Sequence, residues 1–356
     1  MCGVIAVLRR RAARPVPDGA AQVAALDGAA LALRRGVPGL EEATAAVAGV
    51  DRALRGVAGV GLVARDAGLR DDIAARVAVL DAAVTGLEAE LDRGTADCGD
   101  RTLEQVNAAV IAVKDAIWAV GRDRLGTAAA VADLAGEAPG DAAVAAYLSI
   151  QIALAGLDRL EVRGRDSAGL HVLVTGHGID PLDAALAPRV ADTLFTSGAV
   201  RVVDGALSLV YKAAAEIGEL GDNGAALRAA VRADVLLRRA LASPDAEATV
   251  LGHTRWASVG IISQPNAHPL NSEETDGDRR PYVTAVLNGD VDNYVTLREQ
   301  AGLAIPDEVT TDAKIIPALI ARRLDEGAGP TEAFRATVAS FEGSVAIAAS
   351  VAAVPG

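Results

Sequence analysis

The chain opens Met1-Cys2-Gly3-Val4-Ile5-Ala6-Val7-Leu8, and the reading of these eight residues decides the fold. Val4 to Leu8 is a short apolar, β-branched run that predicts a buried strand, ended by the charge of Arg9-Arg10-Arg11. Cys2 becomes the first residue if Met1 is removed, and its small side chain permits that removal. The product carries a thiol and a free α-amine on one residue. The amine titrates near pH ~8 and the thiol near ~8.5, so the amine can take the thiol's proton close to neutrality. Thiolate is the nucleophile, and an N-terminal amine is one way to generate it. On these residues alone Cys2 is either a nucleophile or the first small residue of a buried strand.

Working outward, the bulk composition narrows the classes. The chain has 356 residues, 51% hydrophobic and 3% aromatic, with a net charge of -13. That length suits one large or two ordinary domains. The acidic balance argues against nucleic-acid binding, which needs basic stripes, and against an anionic membrane surface. No signal-like leader and no purely apolar run of about 20 residues is present, which predicts a cytoplasmic protein. The two cysteines, Cys2 and Cys98, make no disulfide framework. Four histidines without paired spacing give no expectation of a metal, and no cofactor motif is seen.

Residues 10–144 differ in character from what surrounds them. Ile73, Val77, Leu80, Val84, Leu87 and Leu91 recur at helical steps, as do Leu103, Val106, Val110, Val113, Ile117 and Val120. The polar stretch 92–100 separates them, and Thr102 with Gln105 predicts a capping box. The expectation is an antiparallel helical hairpin, with shorter helices near 20–35 and 40–55, inserted after the first strand. Its plain role is packing or oligomerisation.

After a helix near 141–160, strands are expected at 170–174, 199–203, 206–211, 249–256, 282–287 and 344–351, and helices near 292–302 and 312–325. The whole reads as a mixed α and β fold. Asn288-Gly289 after an apolar strand reads as a hairpin turn, but an Asn amide beside a Gly N–H also makes a pair of oxyanion donors. Arg255 beside Trp256 suits either a bidentate grip on a carboxylate or a surface ion pair. Asp312 is either a helix N-cap or an anion facing an ammonium group, and His268 either packs a loop or acts as a base.

Six stretches occur in a meaningful order: Cys2-Gly3-Val4-Ile5; residues 159–169, Arg-Leu-Glu-Val-Arg-Gly-Arg-Asp-Ser-Ala-Gly; Gly252-His253-Thr254-Arg255-Trp256-Ala257; Asn266-Ala267-His268-Pro269; Asn288-Gly289; and Thr311-Asp312. Together they resemble the class II glutamine amidotransferases. The His-Thr-Arg-Trp and Asn-Ala-His-Pro forms look most like the glutaminase domains of the glucosamine-6-phosphate synthase branch. The resemblance covers residues 2–8 and about 145–350.

The resemblance implies an α+β N-terminal nucleophile hydrolase fold, an αββα sandwich of two antiparallel sheets. Residues 1–9 and 145–356 would form the glutaminase domain, C-terminally incomplete, and 10–144 a helical insertion. It implies that Cys2 attacks the glutamine amide and that Asn288 and Gly289 hold the oxyanion. Arg255, Trp256, Ser258, His268 and Asp312 would bind substrate, with Arg163 and Asp166 supporting the site. Glutamine, a sugar-phosphate acceptor held by other domains, and a homo-oligomer are the implied partners, without nucleic acid or membrane. The family's Ala-Thr-His-Gly after Trp is here Ala257-Ser258-Val259-Gly260, and its usual His before Asn-Gly is Leu287. An amidotransferase with another acceptor, or a degenerate interaction scaffold, are the competing readings.

Overall fold

A computed structural model describes residues 2–11, 14–214 and 219–352. Eight strands occur among them: β1 (Gly3–Val7), β2 (Ser167–Thr175), β3 (Val200–Val203), β4 (Ala206–Ala214), β5 (Glu247–Arg255), β6 (Leu270–Asn271), β7 (Val283–Val291) and β8 (Gly343–Val351). They form two antiparallel sheets, one ordered β1-β5-β2-β4-β3 and one ordered β6-β7-β8. The fold is therefore mixed helix and antiparallel sheet.

The helices in chain order are α1 (Gly19–Leu33), α2 (Leu40–Ala53), α3 (Gly56–Arg65), α4 (Ala67–Asp92), α5 (Leu103–Trp118), α6 (Gly126–Ala135), α7 (Asp141–Leu160), α8 (Ala187–Val190), α9 (Asp222–Ala233), α10 (Val235–Leu241), α11 (Tyr294–Ala301), α12 (Ile315–Asp325) and α13 (Pro330–Ala339). The chain divides into two compact units. One joins the residues up to Arg10 to those from Ala145 onward, and the other runs from Arg11 to Val144.

Within the second unit, α1 packs on α2 and α4, and α2 packs on α5. The stripe residues Ile73, Leu80, Val84, Val106, Val110, Val113 and Ile117 are buried, as a helical apolar period requires. Thr102 and Gln105 form the capping box at the start of α5. A π-helical stretch, Ala119–Leu125, carries α5 straight into α6. Two short helices that the pattern did not show, α3 and α6, are rich in Ala and Gly.

In the first unit, the strand expected over 170–174 runs from Ser167 to Thr175 and is buried along nearly all its length. Its edges pair with β4 and β5, and successive residues, which point to opposite faces, are buried alike, so both faces are covered and the run is apolar. Against the larger sheet, α7 approaches so closely that a Cβ on Gly156 would meet Ile5. By length and composition the stretch Asp141–Arg163 would suffice to cross a membrane, yet 56% of that window is buried, as in a core helix. The smaller sheet packs Val283, Ala285, Leu287 and Val291 against Ile316, Ile320 and the rest of α12. Polar groups link the two sheets. His171 Nε2 lies 2.9 Å from Ser208 Oγ, which lies 2.9 Å from the Tyr282 hydroxyl.

The expected turn at Asn288-Gly289 is a correction. Both residues lie inside β7, paired with Ala346 and Val345 of β8. Gly289 adopts φ +130°, and a Cβ there would land on Ser344 O, so the strand runs on because this residue has no side chain.

Candidate active site

The first strand carries Cys2 to the end of β5. Gly3 is opposite Thr254 and its N–H donates to Thr254 Oγ1 at 3.1 Å. A Cβ on Gly3 would sit 2.6 Å from Leu160 Cβ and 2.8 Å from that hydroxyl, so only glycine allows the approach. Cys2 Sγ then lies 3.3 Å from Trp256 N and 3.6 Å from Trp256 O. From the smaller sheet, Asn288 Oδ1 accepts the Cys2 N–H at 3.2 Å. Asn288 Nδ2 has no acceptor among the described residues. Sulfur, backbone nitrogen and side-chain amide thus converge from three strands.

Burial pushes the Cys2 thiol up, outweighing the Trp256 hydrogen bond and the nearby positive charge. The thiol is therefore held protonated at neutral pH and needs a base before it can act as a nucleophile.

Arg255 closes β5 and is only 3% exposed. Its Nη1 donates to Ile261 O at 3.1 Å and its Nη2 to Val259 O. Asp166 holds the same bend: its N–H donates to Arg255 O at 3.1 Å, and its Oδ2 accepts from Ala257 N at 2.6 Å. The Trp256 side chain is exposed, and Ser258 Oγ donates to Asp290 Oδ1. The loop then folds back on Thr310, whose Oγ1 accepts from Ile261 N at 3.2 Å.

Asp312 is buried at the start of a 3-10 turn, where Thr311 takes the cap position. It is not an N-cap. Its Oδ2 accepts from Val291 N at 2.9 Å, and burial pushes its carboxyl up.

Two expected residues stand elsewhere. Arg163 is exposed, and its side chain makes no hydrogen bond or ion pair among the described residues. His268 is buried with its ring 4.2 Å from that of His253. Its Nδ1 accepts from Leu287 N at 3.3 Å, which makes it a backbone partner of β7.

Three residues carry more of the arrangement than their motifs suggested. His253 Nε2 donates to Leu287 O at 2.7 Å. Asn266 Oδ1 accepts from Thr310 N at 2.7 Å and Thr311 N at 2.9 Å, fixing the approach to Asp312. Asp290 receives Ser258. All three sit in or beside quoted motifs, but only the folded chain shows what they touch. No group of three or more His, Cys, Asp and Glu among the described residues is arranged to hold a metal ion.

No family model matches the chain. Among curated proteins it is 31% identical over 199 residues to the glutamine–fructose-6-phosphate aminotransferase (isomerizing) of Geobacillus kaustophilus, covering 56% of this chain and 24% of that protein. It is 29% identical over 199 residues to the enzyme of that name from Halalkalibacterium halodurans, with the same coverage. To that of Caulobacter vibrioides it is 38% identical over 101 residues, covering 28% of this chain and 15% of the relative. The matched region spans about a quarter of the first two relatives. The chain is a sequence relative of the glutamine–fructose-6-phosphate aminotransferases.

Proposed function

We propose that the unit built on β1 is a glutaminase of the N-terminal nucleophile type, releasing ammonia from glutamine. The observation that carries this reading is the meeting of Cys2 with Asn288: Oδ1 on Cys2 N at 3.2 Å, with Nδ2 free of any acceptor among the described residues. Once Met1 is gone, that nitrogen is a free amine. It takes the thiol proton, and the sulfur attacks the side-chain carbonyl carbon of glutamine. The C–N bond breaks as the amine returns the proton to the leaving ammonia, and water cleaves the thioester to glutamate. Asn288 Nδ2 and the Gly289 N–H hold the oxyanion. Arg255 receives the α-carboxylate in place of the Val259 and Ile261 carbonyls. Asp312 faces the α-ammonium, Trp256 and Ser258 ride on the loop over the substrate, and the two sheets form the central layers of an αββα sandwich.

The names of the relatives extend the reading to amination of fructose 6-phosphate, with the sugar phosphate bound by domains beyond this chain. A cytoplasmic setting and a homo-oligomer fit the same reading.

One observation favours a scaffold instead: the guanidinium of Arg255 is already satisfied by loop carbonyls. Calorimetry on a Cys2→Ala background separates the two. The glutaminase reading expects glutamine to bind, and Arg255→Ala in that background to weaken binding roughly ten- to a hundredfold, a charge-assisted contact being worth about 1.5–3 kcal/mol. Equal affinity in both proteins supports the scaffold.

A further inference from the structure

The short partner strand of β7 ends one pair too soon. β6 contributes only Leu270 and Asn271, opposite Ala285 and Thr284. Leu287, two residues further on and next to Asn288, finds no strand on that side among the described residues. Two imidazoles take the place of one. Leu287 N donates to His268 Nδ1 at 3.3 Å, and Leu287 O accepts from His253 Nε2 at 2.7 Å. The rings lie 4.2 Å apart at 30°, and both residues are almost wholly buried.

We propose that His253 and His268 are positioning residues that fix the backbone of Leu287, and through it the Asn288 amide and Gly289 N–H. The proposal rests on the glutaminase reading. His253 comes from β5, two residues before Arg255, and β5 pairs with the strand that follows Cys2. One imidazole therefore ties the sheet that carries the sulfur to the strand that carries the oxyanion donors.

The chemistry fixes the tautomers. His268 accepts through Nδ1, so its proton is on Nε2; His253 donates through Nε2. A protonated His268 would set an N–H against the Leu287 N–H. Burial keeps both rings neutral, pushing His253 down to about 3 and His268 well below the ordinary histidine range. A side chain in the core already holds Leu287 along the strand. What the imidazoles add is the rotation of its peptide groups, which aims the next two residues. Gly289, at φ +130°, has no side chain to hold that rotation by itself.

The test compares variants that keep the hydrogen bonds with variants that do not. His253→Gln keeps a donor near Nε2, and His268→Asn keeps an acceptor near Nδ1. His253→Leu and His268→Leu fill the space without either. Backbone amide exchange at residues 286–289 and glutamine hydrolysis are measured for each, with glutamine affinity on a Cys2→Ala background. In the Leu variants exchange speeds up at least about tenfold and turnover falls about ten- to a hundredfold, toward the cost of losing an oxyanion donor. Affinity stays within about twofold, because the donors act in the transition state. The Gln and Asn variants stay close to the parent in all three. Where a Leu variant does not fold, His253→Asn and His268→Gln, which place the amide at the wrong reach, take its place with the same expectation.

Unchanged exchange in the Leu variants, or equal losses in the Leu and the conservative variants, overturns the proposal. A parent that does not hydrolyse glutamine overturns the glutaminase reading alone. The exchange rates then decide whether the histidines position the strand.

Discussion

One α-carbon decides what β7 can do. An Asn-Gly pair after an apolar strand has the composition of a hairpin turn, and the sequence offers nothing local against that reading. The turn is absent because Gly289 passes beneath Ser344 O at φ +130° and because Asp312 takes the N–H of Val291 two residues on. Both are tertiary facts. Gly289→Ala should therefore lower stability by at least about 1–3 kcal/mol, the scale of a strained backbone, read by denaturant titration. An unchanged midpoint would show that the backbone absorbs the methyl group. Asn288→Ala should instead leave the fold and lower turnover about a hundredfold or more, with glutamine affinity nearly kept. The identities of Cys2, Arg255, Asn288 and Asp312 were legible as motifs. Their company was not: nothing in the spacing pairs His253 with His268, or Ser258 with Asp290.

At the scale of elements, periodicity marked those whose apolar stripe is long. α4 and α5 were legible because each buries one face over about three turns or more, and α5 also because Thr102 and Gln105 signal its start. β6, two residues long, and α3 and α6, rich in Ala and Gly, carry no such signal. The loop before α10 shows an element held by one residue. Asp234 caps α10 through Leu236 N at 2.9 Å and Leu237 N at 3.1 Å. It also receives both Arg189 amines, at 2.8 and 2.7 Å, and the Tyr211 hydroxyl at 2.8 Å. Burial alone would push its carboxyl up, but Arg189 and the other donors outweigh that and hold it below the usual range. Its stabilisation is therefore fully present above the unfolded aspartate value near 3.9, and is lost as the pH falls through the lower folded value. Asp234→Ala strands Arg189 and Tyr211, with an expected cost of about 3 kcal/mol or more at pH 7. The difference from the parent should shrink as the pH falls below about 4. A pH-independent difference would contradict the charge account.

At the scale of the molecule, the 11–144 unit buries its own core, including Leu26, Leu40, Ile73, Leu80, Val113 and Val131. Expressed alone it should be helical and melt cooperatively. A featureless spectrum would show that its core depends on the rest of the chain. For the other unit the central claim is that Cys2, once N-terminal, is a nucleophile. The buried thiol keeps its proton until the amine, itself deprotonated, takes it, so hydrolysis should rise with pH through the amine's range near pH ~8. The most direct measurement is mass spectrometry of the purified protein, before and after exposure to an electrophilic diazoketone analogue of glutamine. The predicted result is a chain lacking Met1 that gains one adduct, mapped to Cys2, prevented by excess glutamine and absent from Cys2→Ala. A chain that keeps Met1, or an analogue that leaves Cys2 unmodified in a folded protein, would contradict the account.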